Sequence, residues 1–108
     1  MVEIKFDEYM RLDLRVGKIV EVLDHPKADK LYILRVDIGG EIRTLVAGIK
    51  PWYRKEELEG KHIIVLTNLE PRTIRGVTSE GMLLAADDGE TVSVLTTDKP
   101  VKLGAKVR

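Results

Sequence analysis

No cysteine occurs in the 108 residues, which removes disulfides and cysteine-based metal sites at once. Histidine is scarce: His25 lies in a proline loop and His62 opens an apolar run. Neither has a second histidine or a carboxylate cluster at ligand spacing, so no metal is expected. No apolar run approaches the ~20 residues that a membrane span requires. The opening "MVEIKFDEYMRLD" is charged throughout and lacks the apolar stretch of a secretory signal, so the expectation is a cytoplasmic protein without a membrane partner. Net charge is missing as well, because 18 basic and 18 acidic residues cancel. A polyanionic partner would have to be held by a local patch and not by a global field.

Catalytic signatures are also absent. Ser79 in "TSEGM" lacks the flanking glycines of a nucleophile elbow. The glycines form neither a phosphate-cradling loop nor a dinucleotide fingerprint. The paired acids Glu56-Glu57 and Asp87-Asp88 sit in stretches that read as solvated faces. No catalytic residue and no cofactor is expected, and the chain does not read as an enzyme.

What the chain has is a succession of short apolar alternations. Phe6, Tyr9 and Met10 form one helical stripe. From Leu14 the period becomes two, with Leu14, Val16, Val20 and Val22 on one face and Gly17 suggesting a bulge or bend. "LYILRVD" and "IRTLVA" read as strands joined through Gly39-Gly40, which supplies positive φ at low cost. "KPWYRKEELEGK" reads as a short helix, Pro51 in its first turn and Gly60 at its stop. "HIIVLTNL" is apolar on both faces, the pattern of a strand covered on both sides. "MLLAA" reads as a fifth strand, and "TVSVLT" and "AKV" follow it.

Five strands with a helical segment between the third and fourth match the OB-fold, an all-β, five-stranded Greek-key barrel. The barrel is expected over about residues 6–87, with a strand-like C-terminal extension over about 88–108. In such a barrel the first interstrand loop and the loop before the fifth strand approach the same side, where oligonucleotides bind. Here the first loop carries Lys27 and Lys30, the second carries Arg72 and Arg75, and Arg35 lies on the strand between them. Each arginine can fork onto a phosphate with two parallel hydrogen bonds, which a lysine cannot. Asn68 reads as a ligand or as a turn residue, and Ser79 as a ligand or a backbone partner. Met82 reads as a stacking surface or a core filler, and Trp52 as a cap on the core or an interface residue.

"LDLRVGKIVEVLDHPKADKLYILRVDIGG", "VAGI" and "NLEPRTIRGVTSEGMLLAA" together resemble the tRNA-binding domain family, over essentially Phe6 to Arg108. The likeness is closest to the β-subunit or C-terminal domain of methionyl-tRNA synthetase and extends to the free-standing bacterial tRNA-binding protein. It implies recognition of tRNA by shape at the outer corner of the L, with Lys30, Asn68, Arg72, Arg75, Ser79 and Met82 at the family's binding positions. Glu70 and Thr73 depart from it, since relatives often carry lysine there. The resemblance also implies a homodimer joined through terminal segments, here with the C-terminal extension serving dimerisation, and a methionyl-tRNA synthetase catalytic subunit as a possible partner. Two alternatives share the fold: an export-related peptide-binding chaperone, and a structural dimerisation domain without RNA affinity.

Overall fold

In the computed structural model, which describes residues Met1–Arg108, one long strand organises the rest. β1 (Leu14–Asp24) pairs antiparallel with β4 (His62–Leu66) through its first half and with β2 (Tyr32–Asp37) through its second. β3 (Ile42–Ala47) extends the sheet beside β2, and β7 (Met82–Leu83) extends it beside β4. The order is β3-β2-β1-β4-β7. The two edges are then drawn together by the residues just before β7. Val46 N–H donates to Ser79 Oγ at 3.0 Å, Glu80 N–H donates to Thr44 O at 2.8 Å, and Thr44 N–H donates to Glu80 Oε1 at 3.0 Å. The result is the nearly closed, all-β OB-like barrel that the strand pattern implied.

Its interior is aliphatic. Ile19, Leu34, Val36, Leu45, Ile63 and Val65 are fully buried, and Leu58 of the short helix α2 (Lys55–Leu58) joins them. α1 (Phe6–Tyr9) precedes the barrel and buries none of its residues. Each helix opens with a glutamate three residues on: Glu8 Oε1 accepts from Lys5 N–H and Glu57 Oε1 from Arg54 N–H, which satisfies a donor the helix cannot.

β1 departs from its expected face. Ile19 faces Val36 and Glu21 faces Arg35, so Val20 is an extra residue in the ladder and stands exposed. The bulge lies beyond Gly17, and it switches the parity: Leu14 and Val16 point to one side of the sheet, Ile19 and Val22 to the barrel interior. Gly17 has a different task. A Cβ there would lie 2.7 Å from Val36 Cγ1, so the glycine permits the close crossing of β2.

The second side of β1 and β4 is covered by the tail. Leu103, Ala105 and Val107 pack on Leu14, Val16, Ile64 and Leu66. The tail's backbone also pairs with β1: Gly104 N–H donates to Val16 O, Val16 N–H to Ala105 O, and Val107 N–H to Leu14 O. "HIIVLTNL" is therefore covered on both sides, as its composition implied, and the last residues of the chain supply one of the covers.

Two expected elements and one side chain are placed differently. The helix expected from Lys50 begins only at Lys55, because Trp52 and Tyr53 N–H both bond to Ile49 O in a tight turn. That turn carries Trp52 outward, where it is 40% exposed and its indole N–H donates to Glu90 O at 2.9 Å, so it does not cap the core. Tyr53 turns inward instead, accepting Val94 N–H on its hydroxyl. "MLLAA" divides at Leu84, whose N–H bonds to Ile64 O and whose carbonyl accepts from Leu95. The chain passes there from β4 to a separate ribbon of β8 (Ala85–Asp87) and β9 (Val92–Val94).

Candidate nucleic-acid interface

Between β4 and β7 the chain forms a small hairpin of β5 (Arg72–Ile74) and β6 (Val77–Ser79), outside the main sheet. Ile74 faces Val77, so the turn consists of Arg75 and Gly76 alone. Their φ values are 49° and 88°, both left-handed, as a two-residue turn that follows the strand twist demands. Asparagine or glycine is the low-cost choice at the first of these positions; arginine there is strained by about 1 kcal/mol. The tip nevertheless carries a guanidinium. A side chain held where the backbone resists it points to a task beyond turning the chain.

The loop from His25 to Leu31 is the hairpin's counterpart. His25 N–H donates to Leu31 O and Leu31 N–H to Ala28 O, so the loop is closed at its base. The hairpin tip rests on it: Arg75 Nη1 lies 3.5 Å from Lys27 O, and His25 Nε2 lies 3.0 Å from Ile74 O. Lys27, Lys30 and Arg75 consequently line one depression with Asp29. Three cations against one carboxylate make this a local positive site in a neutral chain.

Arg72 shares the parity of Ile74 and opens onto a neighbouring cleft of about 330 Å³, lined also by Leu69, Ile74, Met82 and Leu83. Arg72 is exposed and joins no ion pair or hydrogen bond through its side chain. Met82 is 45% exposed at the cleft wall, so it is no core filler. Glu70 lines the same cleft and, on its other flank, a patch with Glu41 and Glu80, which gives the positive surface an acidic edge. Thr73 Oγ1 is 3.0 Å from Thr78 Oγ1 across the hairpin, a bond that a lysine would not make.

Asn68, Ser79 and Arg35 stand apart from this group. Asn68 Oδ1 accepts Asp13 N–H at 2.9 Å and its Nδ2 donates to Arg11 O at 2.6 Å, tying the N-terminal segment to the end of β4. Ser79 is 5% exposed; its hydroxyl accepts from Val46 N–H and donates to Gly81 O, so it seals the barrel seam. Ser79 is buried with both bonds made to backbone, and exposed Asn68 commits its oxygen and one amide hydrogen to backbone groups. Arg35 lies exposed on the opposite parity from Tyr32, Leu34 and Val36, between Glu21 and Thr44 in the register, and lines neither the depression nor the cleft.

Sequence reasoning missed three side chains around the first loop, of which Lys50 and Lys55 line neither the depression nor the cleft. Lys50 and Lys55 converge on Asp24, each at 2.9 Å, where β1 enters the loop. The Lys50 bond and then the Lys55 bond hold the Asp24 carboxyl below its usual range. Lys50 also lies 5.7 Å from the Tyr32 ring centroid. The third is His25, whose ring joins the two loops; its place before Pro26 was the only available signal.

A family model described as a tRNA binding domain matches residues 14–106. The chain is 65% identical over 105 residues to methionine–tRNA ligase of Pyrococcus horikoshii, and 51% identical over 109 residues to that of Methanocaldococcus jannaschii. It covers 97% and 100% of itself in these matches but spans only 14% and 17% of those relatives. Among solved structures, a MetRS related protein from Pyrococcus horikoshii superposes with a TM-score of 0.94 at 36% identity, both chains fully covered. A CsaA chaperone protein from Picrophilus torridus superposes with a TM-score of 0.91 at 34% identity, over 98% of this chain and 100% of that one.

Proposed function

The chain belongs to the tRNA binding domain family, and from that premise we propose that it is a non-catalytic module that grips the tRNA backbone through the depression between its first loop and its hairpin. The observation that carries this reading is the convergence of Lys27, Lys30 and Arg75 from distant parts of the chain, with unpaired Arg72 beside them. The cations address phosphates, which fix position without reading sequence, so recognition by shape follows. Met82 and Ile74 offer an apolar wall to an unstacked base next to Arg72. The protein acts in the cytoplasm, alone or with a methionyl-tRNA synthetase catalytic subunit.

Titration with total tRNA, double-stranded RNA and single-stranded DNA at two salt concentrations tests this. Three to four phosphate contacts give a log–log salt slope of roughly −3. Arg72→Ala and Arg75→Ala each flatten the slope by about one unit with folding intact. Salt-independent affinity, or full binding by both variants, overturns the reading.

Assembly as a homodimer is part of the proposal. The tail packs Leu103, Ala105 and Val107 on its own barrel and leaves Leu95 and Val101 exposed, whereas Val2, Ile4, Phe6, Met10 and Leu12 are all exposed on the N-terminal segment. That segment is the better-suited interface, and Phe6→Glu is expected to turn a sedimenting dimer into monomer. A dimer presents two patches to one rigid ligand and gains avidity without new contacts. A second reading, capture of unfolded polypeptide, is favoured by the apolar lining of the cleft. It requires that an unfolded protein displace tRNA from the wild-type chain.

A further inference from the structure

The β5–β6 hairpin is secured at its base through Ser79 and Glu80 on β3, but its tip lies away from the main sheet. Outside the hairpin itself, the tip has two hydrogen-bond ties: the 3.5 Å approach of Arg75 to Lys27 O and the 3.0 Å bond between His25 Nε2 and Ile74 O. Only the second involves the hairpin backbone. It therefore decides where the tip stands relative to the loop.

His25 is suited to that task by three local features. The residue is 5% exposed, so water has little access to the ring nitrogens. Its backbone precedes Pro26, which restricts it to extended conformations. Its Nδ1 accepts Lys27 N–H at 3.0 Å, so that nitrogen carries no proton; the neutral ring then bears its proton on Nε2 and donates it to Ile74 O. One tautomer satisfies both partners. One nitrogen shapes the loop that presents Lys27 and Lys30, and the other holds the hairpin that presents Arg75.

We propose that His25 is a positioning residue: its imidazole clasps the hairpin to the first loop and thereby sets the separation of Lys27 and Lys30 from Arg75. This inference rests on the tRNA-binding reading for its consequence but not for its geometry. Cations held at a fixed spacing meet a phosphate backbone without ordering on contact, whereas a hairpin free to swing has to be immobilised at the expense of affinity. His25 itself touches no ligand.

Two substitutions separate the two bonds. Asparagine places an oxygen near Nδ1 and keeps the turn to Lys27 N–H, but falls short of Ile74. Glutamine reaches to the position of Nε2 and keeps the donor to Ile74. Binding of total tRNA at low salt is measured for wild type, His25→Asn, His25→Gln, Arg75→Ala and the His25→Asn/Arg75→Ala double variant, together with amide hydrogen exchange of each free protein. His25→Asn is expected to weaken tRNA binding about tenfold and to accelerate exchange in Thr73–Thr78, with the Lys27 amide still protected. His25→Gln restores most of the affinity. In the Arg75→Ala background His25→Asn adds less than about twofold, because no cation remains at the tip to position.

Wild-type affinity in His25→Asn, equal losses in the Asn and Gln variants, or additive losses in the double variant overturn the proposal. Failure of His25→Asn to fold overturns it too, in favour of a core role. Should wild type bind no tRNA, the functional reading fails separately, and the clasp is still judged by exchange: unaltered hairpin protection in His25→Asn refutes it.

Discussion

Asn68 and Ser79 come from the same continuous stretch as Arg72 and Arg75, and all four are polar, yet they serve different ends. The amide and the hydroxyl each bond two backbone groups, one pair tying the N-terminal segment and the other closing the barrel seam. The guanidiniums do not build the fold: Arg72 is unpaired, and Arg75 makes one long contact while its backbone is strained. Short side chains with both donor and acceptor fit beside the backbone they complete, while long cations reach past it into solvent. A shared motif therefore mixes side chains that complete the fold with side chains that the fold leaves largely free.

The most forceful way to break this division is Ser79→Ala. It leaves Val46 N–H and Gly81 O without their partner in a buried setting, at a cost of about 2 kcal/mol, or a melting temperature roughly 10 °C lower. tRNA titrated well below the transition should bind within about twofold of wild type. Normal melting with lost binding would move Ser79 into the binding group. Arg75→Asn sharpens the contrast with opposite signs: thermal stability rises by about 1 kcal/mol as the left-handed turn is relieved, while tRNA affinity falls severalfold. A variant that loses both, or gains both, is incompatible with a cation held against strain for binding.

Asn68→Ala is expected to lower stability by about 1 kcal/mol and to speed protease cleavage before Asp13, with the salt slope of tRNA binding unchanged. The smallest effect belongs to Asp13. The Thr67 hydroxyl holds its carboxyl below the usual range; burial opposes it, and the Arg15 bond and charge add to the lowering. Its stabilisation is complete above the unfolded carboxylate value of about 4, and it is lost as pH falls through the depressed folded value. Acid melts of Asp13→Asn should show a shallower decline across that window; an unchanged profile would mean that the Thr67 and Arg15 bonds to Asp13 do not stabilise the fold.

The strand rhythm, the Gly39-Gly40 turn and the two-sided apolar character of Ile63 to Leu66 were legible because each depends on neighbours close in the chain. So was the gathering of Lys27, Lys30 and Arg75, once barrel topology brought their loops to one side. The parity switch at Val20 was not. Alternation read straight through assumes an unbroken ladder, and a bulge is defined by the partner strand. Trp52 misled for a related reason: tryptophan is well buried on average, which suits a cap on the core, but the turn set by Ile49 O placed Tyr53 there instead.

Residue chemistry and local periodicity thus settled the class of fold, the strand count within the barrel and the kinds of side chain at the two loops that meet beside it. They act over a few residues, and no distant partner is needed to read them. Which polar groups are free and which are occupied was decided by closure of the barrel. That step brings Asn68 to Asp13, Ser79 to Val46 and His25 to Ile74. A hydrogen bond is satisfied over a few ångströms of space, and separation along the chain carries no information about that distance.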